Sequence, residues 1–513
     1  MATFGELLAT SLERVKGVAK DNIVQAAHIG RTDRERLLKS GWLTPIIRGW
    51  YILGHPEGQG ETTQWYATYW HFVRDYLAER YGEAYCLSPE SSLDFWLDQN
   101  NVPQQLMVVG ASGGNTRVEL PHETSLLVWK GEVAQEREVI EGIQTLPLAA
   151  ALCRASPSFF SHNPTSAEIA LRMVDPAAIA RYVLDGGHSV IAGRMVAAYR
   201  FLGDEAAAET IMAGYNMAGE RIREANPFTI EQPLLGQRSH QTRSPYAARI
   251  EALWQQMREG VIAAFPKAPG LPDDSSQYLA QVEERYRFDA YHSLSIEGYQ
   301  VNYDLIERIR QGAWNPDDSN NDRDQRNAMA AKGYHLAFNK VCESLSAIFE
   351  SATAGEVIER DLHKWYQSLF EPSVQAALVR ASDLAGYRND QVFIRGAVHV
   401  PPPKSALMDA MEAFFHCLKN EPEASVRSVL GHFMFVFIHP YMDGNGRIGR
   451  FIMNAMLASE GYRWTVIRSE KPRRDKYMDA LDLASSKHDI SAFAEFVVEE
   501  MAVEWGSEPV GGE

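Results

Sequence analysis

The spacing of apolar residues changes character along the chain. Residues 33–41 fit a short helix that ends at Gly41, and residues 42–53 alternate as two strands joined by a tight turn. Residues 62–81 fit an aromatic-rich helix, whereas Gln105–Val109 and Thr124–Trp129 fit strands. These segments predict a mixed α/β region over about 1–220.

A proline-rich stretch separates this region from a helical one. Six prolines, spaced by polar residues and one helical segment at 247–264, lie between residues 225 and 273, which is typical of a linker. From Gln277 onward apolar residues recur at intervals of three and four, and only Gln391–Val400 alternates as a hairpin would. We therefore expect domains at 1–60, 61–225 and 276–505, with a linker at 226–275.

Length and charge narrow the class of protein. A chain of 513 residues is long enough for several cores, and 50 basic against 67 acidic residues give a net charge of −17. This charge disfavours sequence-independent binding of nucleic acid, although residues 1–54 carry eight basic and five acidic residues, or 8 − 5 = +3. No apolar run approaches the ~20 residues of a membrane span, and no signal peptide is visible, so we expect a cytoplasmic protein without a membrane partner. Its four cysteines have no CxxC spacing and predict reduced thiols.

Residues 439–450 carry the strongest chemical signal. They follow an apolar helix and precede a second helical pattern, so the loop enters a helix N-terminus, and Gly444 and Gly446 let the backbone approach an anion. Arg447 and Arg450 lie on one helix face and reach the same polyphosphate. An aspartate at 443 supplies a hard oxygen for Mg²⁺, and a histidine at 439 is suited to accept a proton from a hydroxyl.

This segment resembles the signature of the Fic family, HxFx(D/E)GNGRxxR, at seven fixed positions, with Tyr441 in place of the usual phenylalanine. The resemblance implies transfer of AMP from ATP to a protein Ser, Thr or Tyr hydroxyl, with Mg²⁺ as cofactor and pyrophosphate as leaving group. It implies these roles: general base for His439, Mg²⁺ ligand for Asp443, α-phosphate binding for Asn445 with the backbone of Gly444 and Gly446, β-phosphate contact for Arg447 and γ-phosphate contact for Arg450.

A second motif precedes this one. Ser293, Glu297 and Gly298 resemble the inhibitory motif of Fic proteins, (S/T)xxxE(G/N), at the end of a helix predicted over 277–298 and stopped by its glycine. The resemblance implies that Glu297 pairs with Arg450 in place of the γ-phosphate. The segment from Gly386 to Pro403 also resembles the β-hairpin flap with which the family holds its target.

The N-terminal pattern of helix, glycine and aromatic hairpin resembles the winged-helix domain of abortive-infection-type antitoxins and related transcriptional regulators. We thus expect a multidomain protein: a mainly α Fic-type helical core with a small β-hairpin flap, preceded by an α/β region that contains a winged helix. Residues 61–225 would form the mixed α/β, antitoxin-like part.

The leading hypothesis is an autoinhibited protein adenylyltransferase that also modifies itself. Two alternatives stay open: a hydrolase that removes AMP through the same site, and a DNA-binding antitoxin or transcriptional regulator of a toxin–antitoxin pair. Because the basic excess of residues 1–54 is small, we expect weak DNA binding and favour a protein partner for the winged helix. The target, nucleotide selectivity and a homodimeric state are left open by the sequence.

Overall fold

The structure is a computed structural model that describes the chain except residues 1–2, 55, 57–61, 98–101, 113, 218–220, 237–243, 272–273, 315–321, 351–352, 395–396, 398 and 506–513. The chain divides into two compact units. Unit 1 contains Met1–Arg249 and Phe393–Val400, and unit 2 contains Ile250–Val392 and Pro401–Glu513. Among the helices described, none has the length and apolar character needed to cross a membrane.

Unit 1 begins with a small domain of two helices and three strands. Its elements are α1 (Phe4–Val18), β1 (Ile23–Gln25), a 3-10 turn (Ala26–His28), α2 (Arg31–Lys39), β2 (Leu43–Ile47) and β3 (Trp50–Leu53). The antiparallel sheet has the order β1-β3-β2. Gly41 and Gly49 have φ values of 79° and 90°, a left-handed conformation that favours glycine where α2 and β2 end. The helix predicted at 33–41 and the hairpin predicted at 42–53 are confirmed.

A four-stranded sheet follows. Its elements are α3 (Thr62–Tyr81), β4 (Tyr85–Leu87), α4 (Pro89–Trp96), β5 (Gln105–Gly110), β6 (Thr116–Glu119) and β7 (Ser125–Lys130), with β8 (Glu138–Ile140) and β9 (Ile143–Thr145) as a separate hairpin. The order is β4-β5-β7-β6, and only β5 and β7 run parallel. Leu106 and Val108 point into a core that also holds Trp65, Tyr69 and Phe72 of α3, because side chains two apart on a strand share a face. The sequence prediction of this helix and of both strands is confirmed.

Helices complete unit 1: α5 (Leu148–Arg154), α6 (Pro157–His162), α7 (Pro164–Met173), α8 (Pro176–Asp185), α9 (Ser189–Phe201) and α10 (Glu205–Met217). Proline occupies an early position in α6, α7 and α8, where its missing N–H costs no helical hydrogen bond. Many of their buried residues are alanines, which allow short helices to pack closely.

Unit 2 is helical in its described residues. After α11 (Pro245–Ala264), which starts before the division at residue 249, come α12 (Ser275–Ile296), α13 (Tyr303–Arg310), α14 (Asp322–Glu350), α15 (Ala354–Gln375), α16 (Leu407–Asn420), α17 (Ala424–Ile438), α18 (Asn445–Ala458), α19 (Lys471–Lys487) and α20 (Ser491–Met501). Helices α14 and α15 approach so closely that a Cβ added to Gly333 would lie 2.0 Å from the carbonyl oxygen of Leu369. Nearly every residue of α17 and α18 is buried, so the loop between them rests on the rigid centre of the unit.

Two details differ from the predicted pattern. Helix α18 begins at Asn445, within the motif itself, rather than after Arg450. Gln391–Ile394 forms no strand, and Arg395, Gly396 and Val398 lie outside the described residues, so the β-hairpin flap stays a prediction.

Candidate functional site

The loop between α17 and α18 is shaped by two left-handed residues. His439 caps α17 with a φ of 53°, and Gly444 precedes α18 with a φ of 82°. Histidine adopts this region more readily than most non-glycine residues, at a cost of roughly 1–3 kcal/mol. A Cβ at Gly444 would lie 3.0 Å from side-chain atoms of Leu369 and Phe370. Both conformation and space therefore favour glycine where the loop enters the helix.

Asn445 fixes the loop from within. Its side-chain oxygen accepts a hydrogen bond from the backbone N–H of Tyr441 at 3.0 Å, and its amide donates to the Tyr441 carbonyl at 2.8 Å. The Tyr441 ring stacks on Tyr366 with centroids 3.6 Å apart. The described contacts of the Asn445 side chain are thus to the loop backbone, so in this conformation it shapes the anion site rather than facing it.

The imidazole of His439 is held as a neutral base. Its Nδ1 donates to the carbonyl oxygen of Val436 at 3.1 Å, since a carbonyl only accepts, and this leaves Nε2 as an acceptor. Burial lowers the pKa of His439 to about 4, with a smaller contribution from the charge of Arg388. A neutral imidazole with a free lone pair is the form that takes a proton from a hydroxyl.

Arg388 holds the backbone of this histidine. Its guanidinium donates to the carbonyl oxygens of His439 at 2.8 Å, Asp390 at 2.9 Å and Pro402, and its own backbone N–H donates to Pro440 at 2.8 Å. Burial lowers the pKa of Arg388 to about 10. Sequence reasoning placed this arginine beside the flap and missed its contact with the loop, because no local spacing relates residues 51 positions apart.

Arg447 is buried between two aromatic rings. Its guanidinium carbon lies 5.3 Å from the ring centre of Tyr299 and 5.2 Å from that of Phe370, and Nη2 pairs with Asp443 Oδ1 at 3.2 Å. Asp443 also accepts a hydrogen bond from the backbone N–H of Gly444 at 2.6 Å. The pair brings the predicted metal ligand and the predicted β-phosphate contact together.

Arg450 is the buried centre of the site. Its Nε donates to Ser293 Oγ at 2.9 Å, and Nη2 donates to the Ser293 carbonyl at 3.0 Å and to Glu297 Oε1 at 2.7 Å. Burial is the largest influence and acts to lower the pKa of Arg450, but the charge and hydrogen bond of Glu297, together with nearby tyrosines, outweigh it, so the pKa is raised. Ser293 and Glu297 come from α12, and Arg450 from α18. The structure thus joins residues that are 153 positions apart.

The end of α12 determines where Glu297 points. Gly298 has a φ of 84°, its N–H donates to Ser295, and the N–H of Tyr299 donates to Leu294. These bonds form a Schellman motif, which ends the helix at Ile296 and leaves Glu297 as its C-cap residue. A Cβ added to Gly446 would lie 2.4 Å from Glu297 Oε1, so the carboxylate occupies the space against the N-terminus of α18 where backbone N–H groups attract anions.

The Asp443 carboxylate is suited to bind a cation that is also bound by a ligand. Its side chain is 56% exposed, and its described hydrogen bonds engage only one carboxylate oxygen, Oδ1. Mg²⁺ needs only one or two carboxylates when phosphates supply further oxygens. Among the described residues, no cluster of three or more His, Cys, Asp or Glu side chains is placed to hold a metal ion.

Sequence reasoning missed several buried polar partners of this site. Tyr334 donates to Asp289 of α12 at 2.7 Å, and the hydroxyl of Tyr477 lies 2.7 Å from Nε2 of His432. Asp289, Ser293 and Glu297 are four residues apart, a spacing that places them on one helix face and that could have drawn attention to Asp289. The Tyr477 ring is buried.

Comparison with known proteins finds similarity that includes the loop between α17 and α18. Residues 356–457 match the model of the Fic/DOC family. The "Protein adenylyltransferase Fic" of Drosophila virilis is 30% identical over 221 residues, 42% of this chain and 41% of that protein. The protein of the same name from Drosophila ananassae is 27% identical over 254 residues, 49% and 47% of the two chains. The matches thus span less than half the length of these relatives.

Two solved structures were also found. A Fic domain containing signaling protein from Bacteroides thetaiotaomicron has a TM-score of 0.36 at 15% identity, covering 48% of this chain and 92% of that one. Fic-1 (aa134–508) from C. elegans has a TM-score of 0.36 at 16% identity, covering 69% and 88%. These scores are too low to support an inference about the site.

The depressed pKa of His439 predicts a loss of stability in acid. Between about pH 6.5 and 4 the unfolded imidazole is protonated while the folded one is neutral, so the unfolded state binds more protons and stability falls as the pH falls. A pH of 5 lies about 1.5 units below the ordinary histidine pKa of 6.5, so the loss of stability at this pH is about 2 kcal/mol. The free energy of unfolding, measured with denaturant, should fall between pH 7 and pH 5 in the unchanged protein. In His439→Gln this fall should be smaller by about 2 kcal/mol. The exposed His416→Gln serves as control, and an equal drop in all three proteins would contradict the assignment.

Proposed function

We propose that this chain, whose residues 356–457 match the model of the Fic/DOC family, is a protein adenylyltransferase that holds itself in an inhibited state. It would transfer AMP from ATP to a Ser, Thr or Tyr hydroxyl of a protein, including itself. The name of the curated relatives supports the activity. The ion pair between Arg450 and Glu297 is the observation that carries the inhibited state.

The proposed transfer uses the free nitrogen of His439. The target hydroxyl oxygen attacks the α-phosphorus, its proton moves to Nε2, and the bond from the α-phosphorus to the bridging oxygen breaks, so that pyrophosphate leaves. A pKa of about 4 keeps His439 neutral at physiological pH, and Arg388 fixes the backbone that carries it. The base is therefore oriented before a substrate arrives.

The phosphates would lie along the first turn of α18. Backbone N–H groups at Gly444, Asn445 and Gly446 surround the α-phosphate, Arg447 contacts the β-phosphate and Arg450 the γ-phosphate. Asp443 would hold Mg²⁺ together with the nucleotide, and the ion would neutralise charge on the phosphates and leaving group. For Arg447 and Asp443 to serve these ligands, their mutual contact at 3.2 Å must be replaced.

Inhibition follows from competition for one guanidinium. Glu297 places a carboxylate on Arg450 and against Gly446, so a γ-phosphate would meet both an occupied donor and a negative charge. ATP would then bind only in a pose whose α-phosphorus is turned away from the hydroxyl. The alternative reading, in which Glu297 orients a water that removes AMP from a target, predicts the opposite effect of removing this carboxylate.

For residues 1–60 we propose a winged helix that selects a partner. The order of helix, strand, turn, helix and hairpin, with a β1-β3-β2 sheet, supports this proposal. Basic side chains of α2 already face acidic ones, as in Arg31–Glu35 at 2.6 Å and Arg36–Asp33 at 3.4 Å. Such pairs reduce the charge available to phosphates, which favours a protein partner over DNA. A cytoplasmic location and a homodimer stay predictions.

His439→Ala should abolish AMP transfer while preserving ATP binding, because it removes the base and none of the phosphate contacts. Loss of a general base typically lowers the rate by about 10²–10⁴. The measurement is auto-labelling with ATP labelled in its α-phosphate, in a Glu297→Gly background, with ATP affinity measured by calorimetry. Near-normal labelling would show that His439 is not the general base.

Glu297→Gly should raise AMP transfer at least tenfold at equal protein and ATP, because it frees Arg450 and a change of ~1.4 kcal/mol already gives that factor. Glu283→Gly, an exposed glutamate on the same helix, is the matched control and should change nothing. Incubation with labelled ATP and lysate, followed by mass spectrometry, measures AMP adducts.

The double variant Glu297→Gly with Arg450→Ala should return transfer to near the resting level. If Glu297→Gly leaves transfer unchanged and instead slows removal of AMP from a modified protein, Glu297 acts in hydrolysis and the inhibition proposal is wrong.

A further inference from the structure

The chain just after α12 contacts the first arginine of the motif. Tyr299 follows Gly298, and the centre of its ring lies 5.3 Å from the guanidinium carbon of Arg447. The ring centre of Phe370 on α15 lies 5.2 Å from the same carbon. Aromatic rings at this distance attract a cation through their negative faces, and the attraction is strongest where water is excluded. The Arg447 side chain is 1% exposed, so both rings act on a desolvated charge.

The guanidinium of Arg447 keeps a donor that no described residue uses. Its Nη2 pairs with Asp443 Oδ1 at 3.2 Å, whereas its Nε is buried and has no hydrogen-bond partner within the described part of the chain. An unpaired buried donor is costly and rare in folded proteins. A phosphate oxygen of a bound nucleotide would supply the missing acceptor, so the two rings hold a cation that can still bind an anion.

Tyr299 has its own anchors, which do not involve the Glu297 carboxylate. Its backbone N–H donates to the Leu294 carbonyl at 3.1 Å, as part of the turn that ends α12. The next backbone N–H along the chain donates to Oδ1 of Asn327 on α14 at 3.2 Å. The ring of Tyr299 also lies 5.7 Å from the guanidinium carbon of Arg326. Removing the Glu297 carboxylate therefore breaks none of these contacts.

Restricting this arginine in advance would benefit its contact with a phosphate. An arginine side chain has several rotatable bonds, and the free energy needed to order them on binding reduces the affinity for a ligand. When a nucleotide binds, the contact of Arg447 with Asp443 must be exchanged for one with phosphate. Two rings would hold the guanidinium in place during this exchange, whereas without Tyr299 only one ring would remain.

We propose that Tyr299 is a positioning residue for Arg447, and that its ring orients the guanidinium toward the β-phosphate of a bound nucleotide. The inference rests on the proposed transfer of AMP and assigns a role to a residue that lies outside both sequence motifs. The end of α12 then has two opposite effects, because Glu297 blocks one phosphate position and Tyr299 prepares another. Activation accordingly requires the Glu297 side chain to turn away while the backbone that carries Tyr299 stays in place.

The test compares ADP with AMP by calorimetry, because only ADP has a β-phosphate. The background is Glu297→Ala, which removes the carboxylate without placing a second glycine beside Gly298. Tyr299→Leu keeps an apolar side chain but removes the aromatic face, so ADP affinity should fall about tenfold, or ~1.4 kcal/mol, while AMP affinity stays within about twofold. Tyr299→Phe keeps the face, so both affinities should stay within about twofold of those with tyrosine.

Two further comparisons separate positioning from general damage. Tyr291→Leu is the matched control, because it removes a tyrosine ring of α12 that stacks on Tyr303 with centroids 4.5 Å apart. It should leave both affinities within about twofold. When Arg447→Ala is added to the background, Tyr299→Leu should cause no further loss of ADP affinity, because the arginine that it orients is gone. Retained AMP affinity shows in the same measurement that the site is folded.

Equal losses of ADP and AMP affinity, or a loss in Tyr299→Phe as large as in Tyr299→Leu, would overturn the inference. A rise in ADP affinity in Tyr299→Leu would also overturn it, because the ring would then withhold the arginine from the phosphate. Since nucleotide affinity is measured without a target protein, the inference can hold even if no variant transfers AMP. That result would contradict the proposed function alone.

Discussion

The structure of unit 2 depends on a buried positive charge, the guanidinium of Arg450. The Arg450 side chain is 3% exposed, and a guanidinium removed from water is stable only when anionic or polar groups surround it. Here Ser293 and Glu297 supply them. Such a site favours having an anion present at all times, so under the proposed function the protein's own carboxylate and the phosphate of a nucleotide would alternate as the partner of this charge.

The pairing of Arg450 with Glu297 joins chain segments that are far apart in sequence. Helix α18 carries the arginine, α12 carries the carboxylate, and the two are joined through a loop whose shape depends on Asn445 and on left-handed residues at 439 and 444. Because α17 and α18 are buried over almost their whole length, the anion site itself is rigid. The end of α12 differs, because the Glu297 side chain retains 29% exposure.

Sequence reasoning located most of the site because its parts are compact in sequence. The twelve residues from 439 to 450 contain the proposed base, the proposed anion-binding backbone and both arginines, and helix-stop chemistry at Gly298 marked the segment that is proposed to inhibit. Contacts between distant segments produce no local pattern in the sequence. Arg388, His432 and Tyr477 act through tertiary packing, and single buried polar residues within apolar helices look like ordinary core residues until their partners are known. Likewise, the start of α18 was placed too late because a glycine-rich stretch reads as a loop.

The missing side chain at Gly446 has a genetic consequence. The space it leaves at the N-terminus of α18 holds the Glu297 carboxylate in this structure, and it is the same space a phosphate would need. Under the proposed function, a larger residue there would exclude the phosphate along with the Glu297 carboxylate. Constitutively active alleles should then carry changes in the last turn of α12 and none at position 446, so the proposed inhibition could be lost without altering the loop of residues 439–450.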